Sequence, residues 1–202
     1  MFRIAFLISG SGTNLQYIID KINQGEINCS IEMVISDNPL AKGIERAKKQ
    51  GIPCYVLDKK IYGENIGDEV FKIIGDKVDL IVLGGFLSIL KGQLLKRYKN
   101  KIINIHPSLI PSFCGKGMYG IKVHQAVIDS GVKVTGCTVH FVNEEIDRGA
   151  ILIQRALYIN PEEKAETLQR RVLKEEHLCL LEAIKSISEN RVEFNHNKAT
   201  IC

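Results

Sequence analysis

Lys101-Ile102-Ile103-Asn104-Ile105-His106-Pro107-Ser108-Leu109-Ile110-Pro111 is a largely apolar run in which Asn104 and His106 stand two residues apart before a proline. Its first half reads as a buried strand, and side chains two apart on a strand project from the same face. Asn104 and His106 therefore point together toward whatever lies at the strand's end. Pro107 biases His106 away from helical torsions, so the strand is expected to stop there. An imidazole moves protons near neutral pH, and a carboxamide donates a hydrogen bond to a carbonyl oxygen that is becoming negative. The pair suits acyl-group chemistry. A lone histidine would be better read as a polar strand end that satisfies nearby backbone. Two convergent polar groups, on the edge where open parallel sheets hold ligands, favour function.

Outward from this run, short β-type segments alternate with helical ones. Strands are expected at Phe2 to Ser9, Ser30 to Ser36, Cys54 to Leu57, Leu80 to Leu83 and Lys101 to Ile105. Helices are expected near Leu15 to Asn23, Ala41 to Gln50, Glu64 to Asp76 and Leu90 to Tyr98. Leu80-Ile81-Val82-Leu83 is apolar throughout, which implies burial on both faces. The alternation predicts an α/β fold with a mostly parallel sheet and helices on both faces. After Pro107 the pattern changes. A Gly-, Ser- and Pro-containing loop leads to a short helix, Ile121 to Ser130, then strands Val134 to Val142 and Ala150 to Ile159, then a long helix, Glu163 to Ser188. One domain over 1–188 and a polar, fraying tail over 189–202 are expected.

The 202 residues carry 45% hydrophobic and 25% charged side chains and a net charge of +4. That is ordinary for a globular chain and too weakly basic for nucleic acid. It is compatible with an anionic small molecule. No apolar run is long enough to span a bilayer, and the N-terminal apolar run reads as a strand rather than a signal peptide. Six scattered cysteines with no CxxC pair suit reduced thiols of a cytoplasmic protein, with no metal site expected.

Five further features bear on chemistry. Ser9-Gly10-Ser11-Gly12-Thr13-Asn14 follows the first strand and opens a helix. Backbone N–H groups at such a turn hold anions. The dinucleotide fingerprint would need a glycine where Leu15 stands, so a single phosphate is the expected ligand. Glu144 to Gly149 reads alone as a solvated hairpin loop. It gains a role only if a carboxylate approaches His106, which would raise the imidazole pKa. Gly84-Gly85-Phe86-Leu87-Ser88-Ile89-Leu90 could wall a flat pocket or simply pack the core. His140, and the helical Glu175-Glu176-His177, have equally ordinary readings as packed or solvated residues.

Taken together, LISGSGTNLQ (Leu7 to Gln16), GGFLSIL (Gly84 to Leu90), INIHPSLIP (Ile103 to Pro111), TVHFVNEEIDRGAILIQ (Thr138 to Gln154) and EEH (Glu175 to His177) resemble the glycinamide ribonucleotide formyltransferases. The resemblance implies a Rossmann-like formyltransferase fold. It implies transfer of a formyl group from 10-formyltetrahydrofolate to glycinamide ribonucleotide in purine biosynthesis, without a metal. Asn104, His106 and Asp147 would be catalytic. Gly12, Thr13 and Asn14 would hold the phosphate, and Glu176 the glycinamide or ribose. Leu87, Ser88, Ile89, Leu90, Asn104, Val142 and Asn143 would line the folate site. A homodimer is the candidate assembly. Many members of that family have Arg where this chain has Ser88 and a basic residue near Tyr62, a role that Lys59 or Lys60 could take. The loop Cys114 to Gly120 reads as a glycine-rich lid, and Ile110-Pro111 as a cis bond. The competing readings are a formyltetrahydrofolate deformylase, in which water replaces the amine, and a nucleotide-binding module without chemistry.

Overall fold

The structure, a computed structural model, describes residues 1–202. The chain divides into two compact units, Met1–Asn104 with Val142–Glu144, and Ile105–Phe141 with Glu145–Cys202.

The first unit contains β1 (Phe2–Ile8), β2 (Cys29–Ser36), β3 (Cys54–Val56), β4 (Leu80–Leu83) and the start of β5 (Ile102–His106). They lie in the order β3-β2-β1-β4-β5 and every neighbouring pair is parallel. The chain steps outward from β1 to β2 and β3, then returns to place β4 on the other side of β1. The loops after β1 and β4 therefore flank the point where strand order reverses, the usual ligand crevice of such sheets. Alternation along the strands divides the core between two faces. Ala5, Leu7, Met33, Ile35, Ile81 and Leu83 pack with Ile66, Val70 and Ile74 of α4 (Ile66–Ile74) and with Leu94 and Leu95 of α5 (Gln93–Arg97). On the opposite face Ile8 touches Gly43 of α2 (Gly43–Lys49). There α1 (Thr13–Asn23) buries Leu15, Ile18 and Ile19 at helical spacing. The expected α/β class, mostly parallel with helices on both faces, is observed.

Several helices are shorter than expected, α4 and α5 the most. Gly92, at φ 77°, sits in a non-helical conformation and delays α5 to Gln93, so Leu90 lies in the preceding loop. The segment before α4 folds as α3 (Lys59–Tyr62), capped by the Asp58 side chain, and a 3-10 turn at Gly63–Asn65.

In the second unit, β6 (Val134–Phe141) and β7 (Ile151–Tyr158) pair antiparallel, with an irregularity between Val139 and His140. α6 (Ile121–Asp129) precedes them. The 24-residue α7 (Ala165–Ser188) follows and buries Leu168, Val172, Glu176, Cys179, Leu180 and Ala183 along one stripe. The tail does not fray. β8 (Val192–Asn195) and β9 (Lys198–Ile201) form an antiparallel hairpin. Phe194 meets the buried Phe141 ring edge-on, with centroids 4.7 Å apart. The apolar alternation Val192/Phe194 and Ala199/Ile201 is what makes this a half-buried hairpin. No helix is long and apolar enough to cross a membrane.

His124 of α6 is buried, and burial with the neighbouring His106 charge pushes it down from 6.5 to about 4. Its unfolded form takes up a proton near pH 6.5 and its folded form only near pH 4. The stability it supports is therefore complete above pH 6.5 and declines as pH falls from there toward 4, by on the order of 3 kcal/mol. Chemical unfolding between pH 7 and 4 is expected to show this loss, and His124→Gln to flatten it. An unchanged slope in the variant would contradict the assignment.

Candidate active site

β5 ends at His106, as Pro107 dictates, and the imidazole is 4% exposed. The next segment curls back beneath it. Thr138 Oγ1 donates to Ser108 O (2.7 Å) and accepts from Ile110 N–H (3.1 Å), while Gln154 Nε2 donates to Ile110 O (3.0 Å). The Ser108 hydroxyl donates to Ser112 O (2.6 Å), and the Ile110-Pro111 bond is cis, as expected. Phe113 then adopts φ 52°, and its carbonyl oxygen lies 3.0 Å from His106 Nε2. A carbonyl can only accept, so Nε2 carries the proton in this bond. In the neutral ring that leaves Nδ1 as the basic nitrogen.

Nδ1 lies 3.8 Å from Asp147 Oδ2. The other carboxylate oxygen of Asp147 lies 3.6 Å from His140 Nε2, whose Nδ1 is 3.0 Å from Phe141 O. Asp147 thus sits between two buried imidazoles. Neither distance is a direct hydrogen bond, but both are short enough for strong charge coupling at partly buried sites. The carboxylate also accepts from Gly115 N–H at 2.8 Å, which fastens the glycine-rich loop to it. Asp147 occupies the left-handed region at φ 55°, an outlier of the kind that clusters at functional sites.

The electrostatics correct one expectation. Asp147 does favour the charged form of His106, but burial is the larger effect and holds the imidazole below its ordinary pKa. At neutral pH His106 is therefore a base awaiting a proton, and Asp147 supports it after the proton arrives. Burial raises the Asp147 pKa, but His140, the Gly115 N–H and His106 outweigh it, so the carboxylate is held below its usual range. Burial and the Asp147 charge push the Cys114 thiol up, which leaves it a poor nucleophile.

Asn104 stands two residues before His106 on β5, so by strand geometry it shares that face. Glu176 is buried on α7. Sequence reasoning left His140 undecided, although Thr138 and His140 repeat the two-residue polar spacing of Asn104 and His106 on an apolar strand. The Phe113 carbonyl and Gly115 amide carry no sequence signal, because any residue supplies those atoms.

In the first unit the loop from Ser9 to Asn14 leads from β1 into α1. Gly12 caps α1 in the left-handed conformation, φ 68°. A Cβ there would stand 2.7 Å from the Gly43 Cα, so glycine is required twice over. Gly43 N–H bonds Gly10 O (3.1 Å), and Arg46 Nε donates to Ser11 O (2.8 Å). Arg46, which the sequence reading missed, brings positive charge to a helix N-terminus that already favours anions. In the loop after β4, Leu87 and Ile89 are each 45% exposed, while Leu90 is buried. Val142 N–H bonds Ile102 O (2.9 Å), and Asn143 beside it is exposed. No group of three or more His, Cys, Asp or Glu side chains is placed to hold a metal ion.

A buried imidazole with Nε2 bonded to a carbonyl and Nδ1 facing a carboxylate has the chemistry to accept and return a proton. The family described as Formyl transferase matches residues 2–184, and the chain belongs to it. The phosphoribosylglycinamide formyltransferase of Haemophilus influenzae is 42% identical over 204 residues, covering 98% of this chain and 93% of that protein. The trifunctional purine biosynthetic protein adenosine-3 of Gallus gallus is 39% identical over 194 residues, 95% of this chain, but the chain spans only 19% of its length. A solved structure of glycinamide ribonucleotide transformylase 1 from Symbiobacterium toebii is similar with a TM-score of 0.92 at 38% identity, covering 100% of this chain and 94% of that one.

With His106 working as a base, the acid limb of kcat/KM should have its midpoint below the ordinary imidazole value of about 6.5. Asp147→Asn removes the interaction that favours the imidazolium. It should lower kcat about a hundredfold or more, leave KM within about threefold, and move the acid limb to still lower pH. A limb at or above 6.5 in the wild type, or one that rises in the variant, contradicts this arrangement.

Proposed function

We propose that the chain transfers the formyl group of 10-formyltetrahydrofolate to the amine of glycinamide ribonucleotide in purine biosynthesis. The observation that carries the proposal is the buried His106, with Nε2 committed to Phe113 and Nδ1 facing Asp147. Membership in the formyl transferase family and likeness to named phosphoribosylglycinamide formyltransferases supply the reaction type.

The substrate amine attacks the formyl carbon, and the carbonyl oxygen becomes an oxyanion to which the Asn104 amide donates. His106 Nδ1 takes the proton released by the amine nitrogen, and Asp147 stabilises the resulting imidazolium. The same proton goes to the folate nitrogen as its bond to the formyl carbon breaks, which regenerates neutral His106. No covalent enzyme intermediate is needed, in keeping with the raised thiol pKa of Cys114.

Gly12, Thr13 and Asn14 hold the phosphate at the α1 N-terminus, with Arg46 behind the loop. Glu176 serves the glycinamide or ribose part. Leu87, Ser88, Ile89 and Leu90, with Val142 and Asn143, line the folate. The exposed Leu87 and Ile89 suit a flat apolar ring. The six cysteines are all free thiols, as suits a reducing cytoplasm.

The test is release of tetrahydrofolate from the formyl-folate, followed with and without glycinamide ribonucleotide, with mass spectrometry of the ribonucleotide product. Release should require the ribonucleotide and match the formylated product one to one. Equal release without it would establish a deformylase instead. No release in either case would support a module without chemistry.

A further inference from the structure

Two side chains of the first unit, Ser9 and Asp37, take no part in the chemistry above, yet both are buried and both spend their hydrogen bonds on one loop. Ser9, 6% exposed, stands at the end of β1 and begins the anion loop. Its N–H donates to Gly85 O (2.9 Å), and its hydroxyl oxygen accepts from Leu87 N–H (2.7 Å). Asp37, 0% exposed, follows β2. Its Oδ2 accepts from the Ser88 hydroxyl (2.7 Å), and its Oδ1 has no hydrogen-bond partner. Asn38 Nδ2 donates to Ser9 O (3.0 Å), which ties the two residues to each other. At the start of the same loop, a Cβ on Gly84 would meet the Phe6 ring at 2.3 Å and the Asn14 Cβ at 3.5 Å. The loop backbone therefore lies directly against Asn14.

Burying a carboxylate with one oxygen unsatisfied costs stability, and an apolar side chain of similar size would fill the space without that cost. What Asp37 provides is geometry, because its bond fixes Ser88 in place. The Ser9 hydroxyl does the same for Leu87. Held this way, the loop from Gly84 to Leu90 cannot shift without disturbing the loop from Ser9 to Asn14. Precise sites depend on such supporting bonds behind the residues that touch ligand.

We propose that Ser9 and Asp37 are positioning residues that register the folate-lining loop on the phosphate-binding loop, so that each substrate binds more tightly when the other is present. This rests on the ligand assignments under the proposed function. Coupling of this kind is reciprocal, since each ligand must favour the other by the same factor.

The experiment is calorimetric titration of a non-transferable folate analogue, with and without glycinamide ribonucleotide, together with steady-state kinetics. In the wild type the ribonucleotide should tighten analogue binding several-fold. Ser9→Ala and Asp37→Ala each remove one acceptor. Each should raise KM for the formyl-folate about tenfold, leave kcat within about threefold, and bring the ratio of analogue affinities toward one. Asp37→Asn keeps an acceptor for Ser88 and should restore most of the coupling. Variants that lower melting temperature while keeping wild-type KM and coupling would overturn the proposal, as would a wild type in which the ribonucleotide leaves analogue affinity unchanged. Loss of ribonucleotide-dependent transfer in the wild type itself would overturn the functional reading, and this inference with it.

Discussion

The hydrogen bond between His106 Nε2 and the Phe113 carbonyl organises the rest of the second unit's chemistry. It chooses the tautomer, and so decides which nitrogen can accept a proton. It exists because the chain turns back on itself within seven residues and Phe113 adopts a left-handed conformation. Thr138 and Gln154 hold that turn from the strands behind it. The same reversal brings Gly115 to the Asp147 carboxylate and so fixes the third partner. Burial then sets the direction of the chemistry. It outweighs the attraction of Asp147 and keeps the imidazole neutral until a proton is offered.

The first unit solves a different problem, holding two loops at the reversal point of a parallel sheet. Here backbone does most of the work. Gly12 and Gly43 approach too closely for any side chain, and Gly84 lies against Phe6 and Asn14. Side chains enter mainly as fasteners, with Arg46 on Ser11 and with Ser9 and Asp37 on the loop after β4. The Ser88 position follows from this. Its short hydroxyl turns to a buried carboxylate.

Much of this was legible in the sequence, for reasons that can be stated. The parallel strands announced themselves as short apolar runs separated by helical periods. The two-residue spacing of Asn104 and His106 placed them on one face. The glycines of the anion loop implied close backbone approach. Other features were not legible, because they depend on distant partners. The low pKa of His106 is a burial effect, invisible until the surroundings are known. By composition alone Asp147 reads as a turn residue; the resemblance singled it out, and only the structure puts His106 and His140 on either side of it. Phe113 contributes only a carbonyl. The terminal hairpin was missed for another reason. Its alternation was present, but the high polarity of its outward residues hid it, and only the Phe194–Phe141 contact shows which face is buried.

The chemistry depends on the protonation state of one ring, which nitrogen-15 NMR of histidine-labelled protein across pH measures most directly. The free protein should show His106 as the Nε2-protonated tautomer at pH 7, titrating below the ordinary value of about 6.5. A His106 protonated at Nδ1, or one already charged at pH 7, would contradict it.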